Sequence, residues 1–289
     1  MAPLHAYRAG AVVARGMPGR LGEGLAAGAG VIAGRVATGR RATITRHLER
    51  IEGRPVGGLT VDRAFASYGR YWLEAFRLPS VAVGDLESAM CYEGIGNIER
   101  GRALGKGVLL AMPHLGAWDW GGAWLSASGF PLTVVAEVLE PVELADWFAL
   151  RRRRLGMTVV PLDHQAASGV FAALRRGEVV GLLCDRDLTG DGVEVTFFGE
   201  RTRMPAGPAT IALRTGAPLM PCCVLFEGDH HRGIVLAPLD TARRGPLRED
   251  VARVTQDMAD ALAGLIRRAP EQWHVFQPNW PSDVRRRGA

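Results

Sequence analysis

The chain has 289 residues, 47% of them hydrophobic and 22% charged, and its formal net charge is +5. This apolar fraction is too high for a mainly disordered chain. A multi-span membrane protein is also excluded, because apolar stretches such as 179–184 and 217–226 are shorter than the ~18 residues that a spanning helix needs. Arginine supplies 34 of the 35 basic residues. Residues 1–50 contain eight arginines and two glutamates, which gives this segment a charge of +6. Such a charge suits binding to the phosphates of nucleic acid or anionic lipid.

The N-terminal segment predicts loose helices with one apolar side. Leu21 and Leu25 lie one helical turn apart, and Val31 and Ile32 follow about two turns later. Two placements stay open: a helical pair packed on the rest of the protein, or an interfacial helix that lies on a membrane. Arginines at 8, 15 and 20 interrupt every apolar run, so no secretory signal is expected.

From about residue 60 the sequence predicts one helix and then an alternation of strands and helices. Val61, Phe65, Tyr68, Trp72 and Phe76 fall at helical spacing and predict a buried face. Short strands are expected at 90–93, 108–112, 132–136, 158–161, 179–184, 193–197, 219–226 and 233–237. Helices are expected at about 117–127, 141–155, 166–176, 206–215 and 248–268. This order predicts an α/β fold in a single domain over 1–289, with 1–50 as a helical extension and 51–289 as the core.

The stretch from residue 108 to residue 119 carries the strongest chemical signal. An apolar strand ends at Pro113, His114 occupies the turn, and Asp119 enters the following helix. Catalytic groups of open α/β sheets gather at such strand ends. The two residues cannot share one face of a helix, but a turn that begins at His114 can fold the carboxylate back onto the ring. A carboxylate there would fix the tautomer and leave the other ring nitrogen as a general base.

No covalent nucleophile is predicted beside this base. The sequence has no G-x-S-x-G elbow, and its four cysteines (Cys91, Cys184, Cys222 and Cys223) show no C-x-x-C spacing. The cysteines lie in apolar runs and are interpreted as reduced core residues of a cytosolic protein. The remaining chemistry is direct activation of a substrate hydroxyl for attack on a thioester.

Several uncommon blocks occur in a fixed order along the chain. They are YEGIG at 92–96, the strand at 107–112, H-x-x-x-x-D at 114–119, CDRDLTGDGVEVTFFGE at 184–200, MPAGPA at 204–209, and PEQWH at 270–274 with Trp280. Together they resemble the bacterial lipid A biosynthesis (lauroyl/myristoyl) acyltransferase family, from about residue 15 to residue 280. The version here is most similar to the actinobacterial phosphatidylinositol mannoside acyltransferases. Glycerol-phosphate acyltransferases share H-x-x-x-x-D, but their Phe-Pro-Glu-Gly block is missing.

The resemblance implies transfer of a fatty acyl group, expected to be palmitoyl, from acyl-CoA to a mannose hydroxyl of a phosphatidylinositol mannoside. It implies a central mixed β-sheet flanked by helices, with a hydrophobic groove for the acyl chain. The expected partners are acyl-CoA as cosubstrate, an anionic glycolipid acceptor and the membrane surface. No cofactor, metal or nucleic acid is expected, and the expected location is peripheral, on the cytoplasmic side of the cell membrane.

The resemblance also implies roles for individual residues. His114 is the catalytic base, and Glu194 is similar to the second catalytic carboxylate, which supports the histidine. Asp119 is the motif carboxylate, and whether Asp119 or Glu194 pairs with His114 stays open. Glu200 resembles a substrate-contacting position. Arg152 matches an arginine shortly before the Leu-Gly of relatives and is expected to contact a phosphate.

Other charged and aromatic residues are expected to be structural. Asp185, Arg186 and Asp187 are interpreted as an ion-pair network at a strand end. The arginines at 151–154 span about 300° of a helix, so some of them must be solvated. The tail aromatics Trp273, Phe276 and Trp280 are expected in the core.

Four other functions are alternatives to acyl transfer onto a phosphatidylinositol mannoside. An acyltransferase for another glycolipid or a lysophospholipid would use the same site, and an acyl-CoA thioesterase would use the same base on water and release free fatty acid. A catalytically dead membrane-binding relative would not need the intact His114, Asp119 and Glu194. A nucleic-acid-binding protein is suggested by charge alone, because no recognised binding motif supports it.

Overall fold

The fold is known from a computed structural model that describes residues 2–17 and 19–285. The helices are α1 (Ala2–Gly16), α2 (Gly19–Val36), α3 (Thr38–Glu52), α4 (Gly58–Arg77), α5 (Val83–Ser88), α6 (Gly96–Ala103), α7 (Trp118–Ala127), α8 (Val142–Arg154), α9 (Ala166–Arg175), α10 (Gly207–Thr215), α11 (Leu247–Ile266) and α12 (Pro281–Arg285). The strands are β1 (Met90–Glu93), β2 (Val108–Met112), β3 (Leu132–Ala136), β4 (Thr158–Pro161), β5 (Val179–Leu183), β6 (Val193–Phe197), β7 (Glu200–Met204), β8 (Leu219–Glu227) and β9 (His230–Val235). Single 3₁₀ turns occupy Leu78–Ser80 and Pro270–Gln272.

Seven strands form the central sheet in the order β1-β9-β8-β2-β5-β3-β4. All neighbouring strands are parallel except β8 and β9, which pair antiparallel. The predicted mixed α/β fold with flanking helices is therefore confirmed. Strands β6 and β7 form a separate antiparallel hairpin.

Alternate residues of the central strands are buried on opposite faces of the sheet. Leu109 and Ala111 pack in the same cluster as residues of α9, α10 and α11. Val108 and Leu110 pack on the other face, in a cluster with Trp124 of α7. Because both faces are covered, the strands read as continuous apolar runs rather than as alternating ones.

The N-terminal helices pack on the core and also present an apolar surface. Helix α2 packs so closely on α4 that a Cβ atom at Gly30 or Gly34 would collide with Phe65. On the opposite side of α2, an exposed apolar stripe is formed by Leu21, Leu25, Ile32 and Val36, each between 55% and 78% exposed. The structure thus shows the packed helical pair and leaves an apolar, arginine-flanked face open. No helix of the described residues is both long and apolar enough to cross a membrane.

The charge-based boundary between residues 50 and 51 falls inside α3. This helix is tied to the C-terminal part of the chain through Asp283, which accepts hydrogen bonds from Arg46 (3.1 Å) and His47 (3.0 Å). The tail aromatics Trp273, Phe276 and Trp280 are 2%, 6% and 2% exposed, so their predicted core positions are confirmed. Three of the four cysteines are buried as predicted, whereas Cys91 is exposed on β1.

Candidate functional site

The centre of the candidate site is a hydrogen-bonded pair of His114 and Asp185. The distance from Nδ1 of His114 to Oδ1 of Asp185 is 2.7 Å. The backbone N–H of His114 donates to Oδ2 of the same carboxylate at 2.8 Å. The carboxylate is fully buried, and the imidazole side chain is 18% exposed. This geometry assigns the Nδ1 proton to the bond with Asp185 and leaves Nε2 as the basic nitrogen.

Strand register explains why these two residues meet. Strands β2 and β5 are parallel neighbours, and Met112 lies opposite Leu183. Two residues beyond this pair are His114 and Asp185, at the carboxyl ends of adjacent strands. Ligands and catalytic groups collect at this edge of an open α/β sheet.

The Asp185 carboxylate is held by further donors. Nε1 of Trp273 donates to Oδ2 at 2.7 Å, and the side-chain amide of Asn279 donates to the backbone carbonyl of Asp185 at 3.1 Å. Burial alone would raise the pKa of the Asp185 carboxyl. The charge of His114 and the hydrogen bonds from His114 and Trp273 outweigh burial, so the pKa lies below its usual value. Asp185 is therefore ionised and fixed in place.

The turn after His114 is tightly constrained by backbone contacts. Gly116 has φ 62°, and its N–H donates to the carbonyl of Gln272 at 2.9 Å. A Cβ atom at this position would collide with the carbonyl of Val224, so only glycine fits. The carbonyl of His114 accepts the N–H of His274 at 2.7 Å. These contacts fix the backbone on both sides of the His114 imidazole.

Asp119 lies in the first turn of α7 and has a different partner from the one expected. Its Oδ1 accepts from Nε of Arg152 at 2.9 Å, and its Oδ2 accepts from the hydroxyl of Tyr71 at 2.8 Å. Burial, with the negative charge of Asp119, raises the pKa of Tyr71 well above its usual value, so Tyr71 remains a neutral donor. The prediction that Asp119 or Glu194 pairs with His114 is wrong, because Asp185 occupies Nδ1.

Two other predicted carboxylates, Glu194 and Glu200, pair with arginines and not with His114. Glu194 lies on β6 of the separate hairpin, is 52% exposed, and is paired with Arg201. Oε2 of Glu200 accepts from Nε of Arg50 at 2.9 Å, which ties β7 to α3. The resemblance assigned the supporting carboxylate to Glu194, whereas the carboxylate that contacts His114 is Asp185, from the same block of sequence.

The expected ion-pair network at residues 185–187 is also corrected. Asp185 binds His114 and Trp273, while the carboxylate of Asp187 accepts the backbone N–H groups of Gly190 and Gly192, both at 2.9 Å. Arg186 pairs with neither neighbour. The arginines at 151–154 behave as predicted: Arg151 and Arg152 are partly buried, and the following two are exposed.

A cavity of about 650 Å³ opens beside the His114–Asp185 pair. This volume is typical of small-molecule sites. Most of its wall is apolar, with contributions from Tyr92, Trp124, Leu132 and Met157. Its polar wall includes His114, Asp119, Arg152, Arg186 and His274. The cavity therefore combines a mainly apolar wall with the His114–Asp185 pair.

His274 and the cavity cysteines are electrically neutral. Burial and the nearby His114 lower the pKa of His274 to about 3, and its Nε2 lies 2.9 Å from the hydroxyl of Ser67. Burial raises the pKa of Cys223 to about 12 and that of Cys222 well above its usual value. Neither thiol is ionised near neutral pH, so neither is an activated nucleophile. Among the described residues, no three His, Cys, Asp or Glu side chains are grouped as metal ligands.

Comparison with known proteins places these features in a family. The family profile described as bacterial lipid A biosynthesis acyltransferase matches residues 3–282. A phosphatidylinositol mannoside acyltransferase of Mycolicibacterium smegmatis is 38% identical over 284 residues, which cover 96% of this chain and 91% of that protein. A protein of the same name from Mycobacterium tuberculosis is 39% identical over 249 residues, covering 83% of this chain and 77% of that protein. A lipid A biosynthesis acyltransferase of Haemophilus influenzae is 24% identical over 220 residues.

Proposed function

Because the chain belongs to the bacterial lipid A biosynthesis acyltransferase family, we propose that this acyltransferase moves a fatty acyl group, palmitoyl in the first instance, from acyl-CoA to a mannose hydroxyl of a phosphatidylinositol mannoside. The observation that carries the reaction type is the His114–Asp185 pair on the wall of an apolar cavity. The acceptor class comes from the relatives at 38% and 39% identity. Acyl-CoA serves as cosubstrate, and no further cofactor is invoked.

In the proposed reaction His114 acts as base and then as acid. Its Nε2 takes the proton of the acceptor hydroxyl while the oxygen attacks the thioester carbonyl carbon. Asp185 stabilises the imidazolium that forms and holds the ring orientation. The carbon–sulfur bond then breaks, and the proton on Nε2 passes to the departing CoA sulfur. The products are the ester and free CoA, with no acyl-enzyme intermediate.

The apolar part of the cavity is the proposed acyl site. Burying a hydrocarbon chain stabilises its binding by ~0.8 kcal/mol for each CH₂ removed from water. Aromatic and aliphatic walls such as Trp124, Leu132 and Met157 suit such a chain. On the polar side, Asp119 holds the Arg152 guanidinium toward the cavity, where it is proposed to contact a substrate phosphate.

An assay of the purified protein tests this function. With palmitoyl-CoA and a phosphatidylinositol mannoside, we expect CoA thiol release to depend on the acceptor and to match the acylated lipid measured by mass spectrometry. Thiol release with free palmitate and no acceptor would identify a thioesterase instead. Transfer only to unmannosylated phosphatidylinositol or a lysophospholipid would move the proposal to another acceptor.

Peripheral attachment to the cytoplasmic face of the cell membrane is part of the proposal, since the acceptor is a lipid. The exposed apolar stripe of α2 and the arginines of α1 and α2 are the proposed contact surface. Arg8, Arg15 and Arg20 are all exposed. Each arginine near an anionic surface contributes ~1 kcal/mol, and the apolar stripe adds to this.

We therefore expect a charge-reversal variant with Glu at 8, 15 and 20 to bind anionic vesicles roughly a hundredfold more weakly at low salt. Co-sedimentation measures this binding, which should also weaken for the parent protein with added salt. The matched control reverses three exposed arginines on other helices, Arg175, Arg214 and Arg248. Equal sedimentation of the first variant and the parent would show that this segment is not the anchor.

A further inference from the structure

Arg186 is a cavity cation that the acyl-transfer steps above do not use. It lies on the loop after β5, is half-buried, and lines the cavity together with His114. Its side chain starts one residue after the carboxylate that holds His114. Arg186 therefore adds a cation to the wall of the cavity that also holds His114.

The charge of Arg186 is not neutralised within the described part of the chain. None of the carboxylates there lies within ion-pair distance of its guanidinium, whereas the other cavity arginine, Arg152, is paired with Asp119. The flanking Asp185 and Asp187 are engaged by His114 and by loop N–H groups. A half-buried cation beside an apolar cavity is costly unless an anion accompanies it.

The other acidic groups on the cavity wall are oriented by their own loops or exposed. Oδ1 of Asp163 accepts the backbone N–H of Gln165 at 2.7 Å, and Asp191 accepts the hydroxyl of Thr189. Glu137 is exposed. These carboxylates line the same cavity without pairing with Arg186, so its N–H donors are available to a bound anion.

A second arginine contributes positive charge near the same place. Burial raises the pKa of Tyr68, which lines the cavity, and the charges of Arg40 and Arg186 both act against that rise. Arg40 belongs to α3 and is exposed. Arg40 therefore adds to the positive potential that Arg186 exerts at Tyr68 on the cavity wall.

We propose that Arg186 binds the phosphodiester of the lipid acceptor and so selects mannosides that are attached to a phosphorylated inositol. The inference rests on the proposed function. Both substrates carry phosphate, but the position of Arg186 favours the acceptor. A single inositol ring separates mannose from phosphate in the acceptor, whereas the whole pantetheine arm separates the thioester from the diphosphate in acyl-CoA. The planar guanidinium suits two oxygens of one phosphate.

Kinetics of Arg186→Gln with two acceptors test the assignment. Loss of a charge-assisted phosphate contact should raise KM for a phosphatidylinositol mannoside about 10–100-fold. Neither KM for palmitoyl-CoA nor turnover of the phosphate-free octyl α-mannoside should change. Arg186→Lys should lose less, because it keeps the charge without the fork. Arg175→Gln, an exposed change of the same charge on α9, is the matched control.

Direct binding separates this inference from the proposed function. The probe is glycerophosphoinositol, the deacylated headgroup, followed by tryptophan fluorescence, with inositol as the phosphate-free reference and thermal unfolding as the check on fold. We expect Arg186→Gln to weaken glycerophosphoinositol binding at least tenfold. Equal binding by parent and variant, or a KM rise confined to palmitoyl-CoA, would overturn the inference while acyl transfer stands. Arg186-dependent binding by a protein that acylates no mannoside would instead overturn the proposed function.

Discussion

His114→Ala should lower kcat for acyl transfer by about 10²–10⁴-fold, the usual contribution of a positioned general base. Without Nε2, the acceptor hydroxyl must lose its proton to water as it attacks the thioester. The fold should survive, because the histidine backbone N–H still donates to Asp185 and its carbonyl still accepts from His274. CoA release by the purified variant measures the effect.

The control for this variant is His230→Ala, which removes an exposed imidazole from β9. Thermal unfolding and acyl-CoA binding should match the parent protein for both variants, so that the loss at position 114 is a loss of chemistry. Turnover close to that of the parent in a folded His114→Ala protein would contradict the base mechanism altogether.

Most elements could be predicted from the sequence because their signals are local. Val108–Met112 and Thr158–Pro161 are apolar runs between turn residues, and the predicted bounds agree with the structure. Strand β9 begins at His230, three residues before its predicted start, because its first residues are polar. That segment is held by antiparallel backbone pairing with β8 across a two-residue turn, and backbone pairing does not require apolar side chains.

The position of His114 at a strand end was predictable, but its carboxylate partner was not. His114 follows an apolar strand within a recognisable motif, whereas Asp185 lies 71 residues away. They meet only because β2 and β5 are neighbours in register, and strand order is a property of the whole sheet. One sequence signal pointed to the pair: Asp185 directly follows the apolar run 179–184, just as His114 follows 108–112. Two polar groups at the ends of predicted parallel strands are candidates for contact.

The sequence alone could not show which of the arginines at 151–154 faces the cavity. The sequence placed four consecutive arginines on one helix, and helical periodicity showed only that they point in different directions. Packing separates them: Arg151 donates to the carbonyls at the end of α4, and Arg152 reaches Asp119 across α7. Only Arg152 both lines the cavity and has a carboxylate to hold it there.

Asp185→Asn tests the pair itself and should also cost about 10²–10⁴-fold in kcat, as expected when a triad aspartate becomes an amide. The amide oxygen can take the place of Oδ2 and accept from the His114 N–H and from Trp273. The amide NH₂ then faces Nδ1 of His114 and donates to it. The imidazole proton is forced onto Nε2, so the nitrogen that faces the cavity can no longer accept a proton.

This substitution separates tautomer control from folding, because two of the three carboxylate contacts are kept. Melting temperature and acyl-CoA binding should stay near those of the parent, while nitrogen NMR of the His114 ring should report the exchanged tautomer. Glu194→Gln makes the same chemical change on the exposed β6–β7 hairpin and should leave turnover unchanged. A large loss in Glu194→Gln together with normal turnover in Asp185→Asn would return the supporting role to Glu194, against the geometry. The opposite pattern would establish that Asp185, at the end of the neighbouring strand, and not Glu194 on the separate hairpin, sets the proton position on His114.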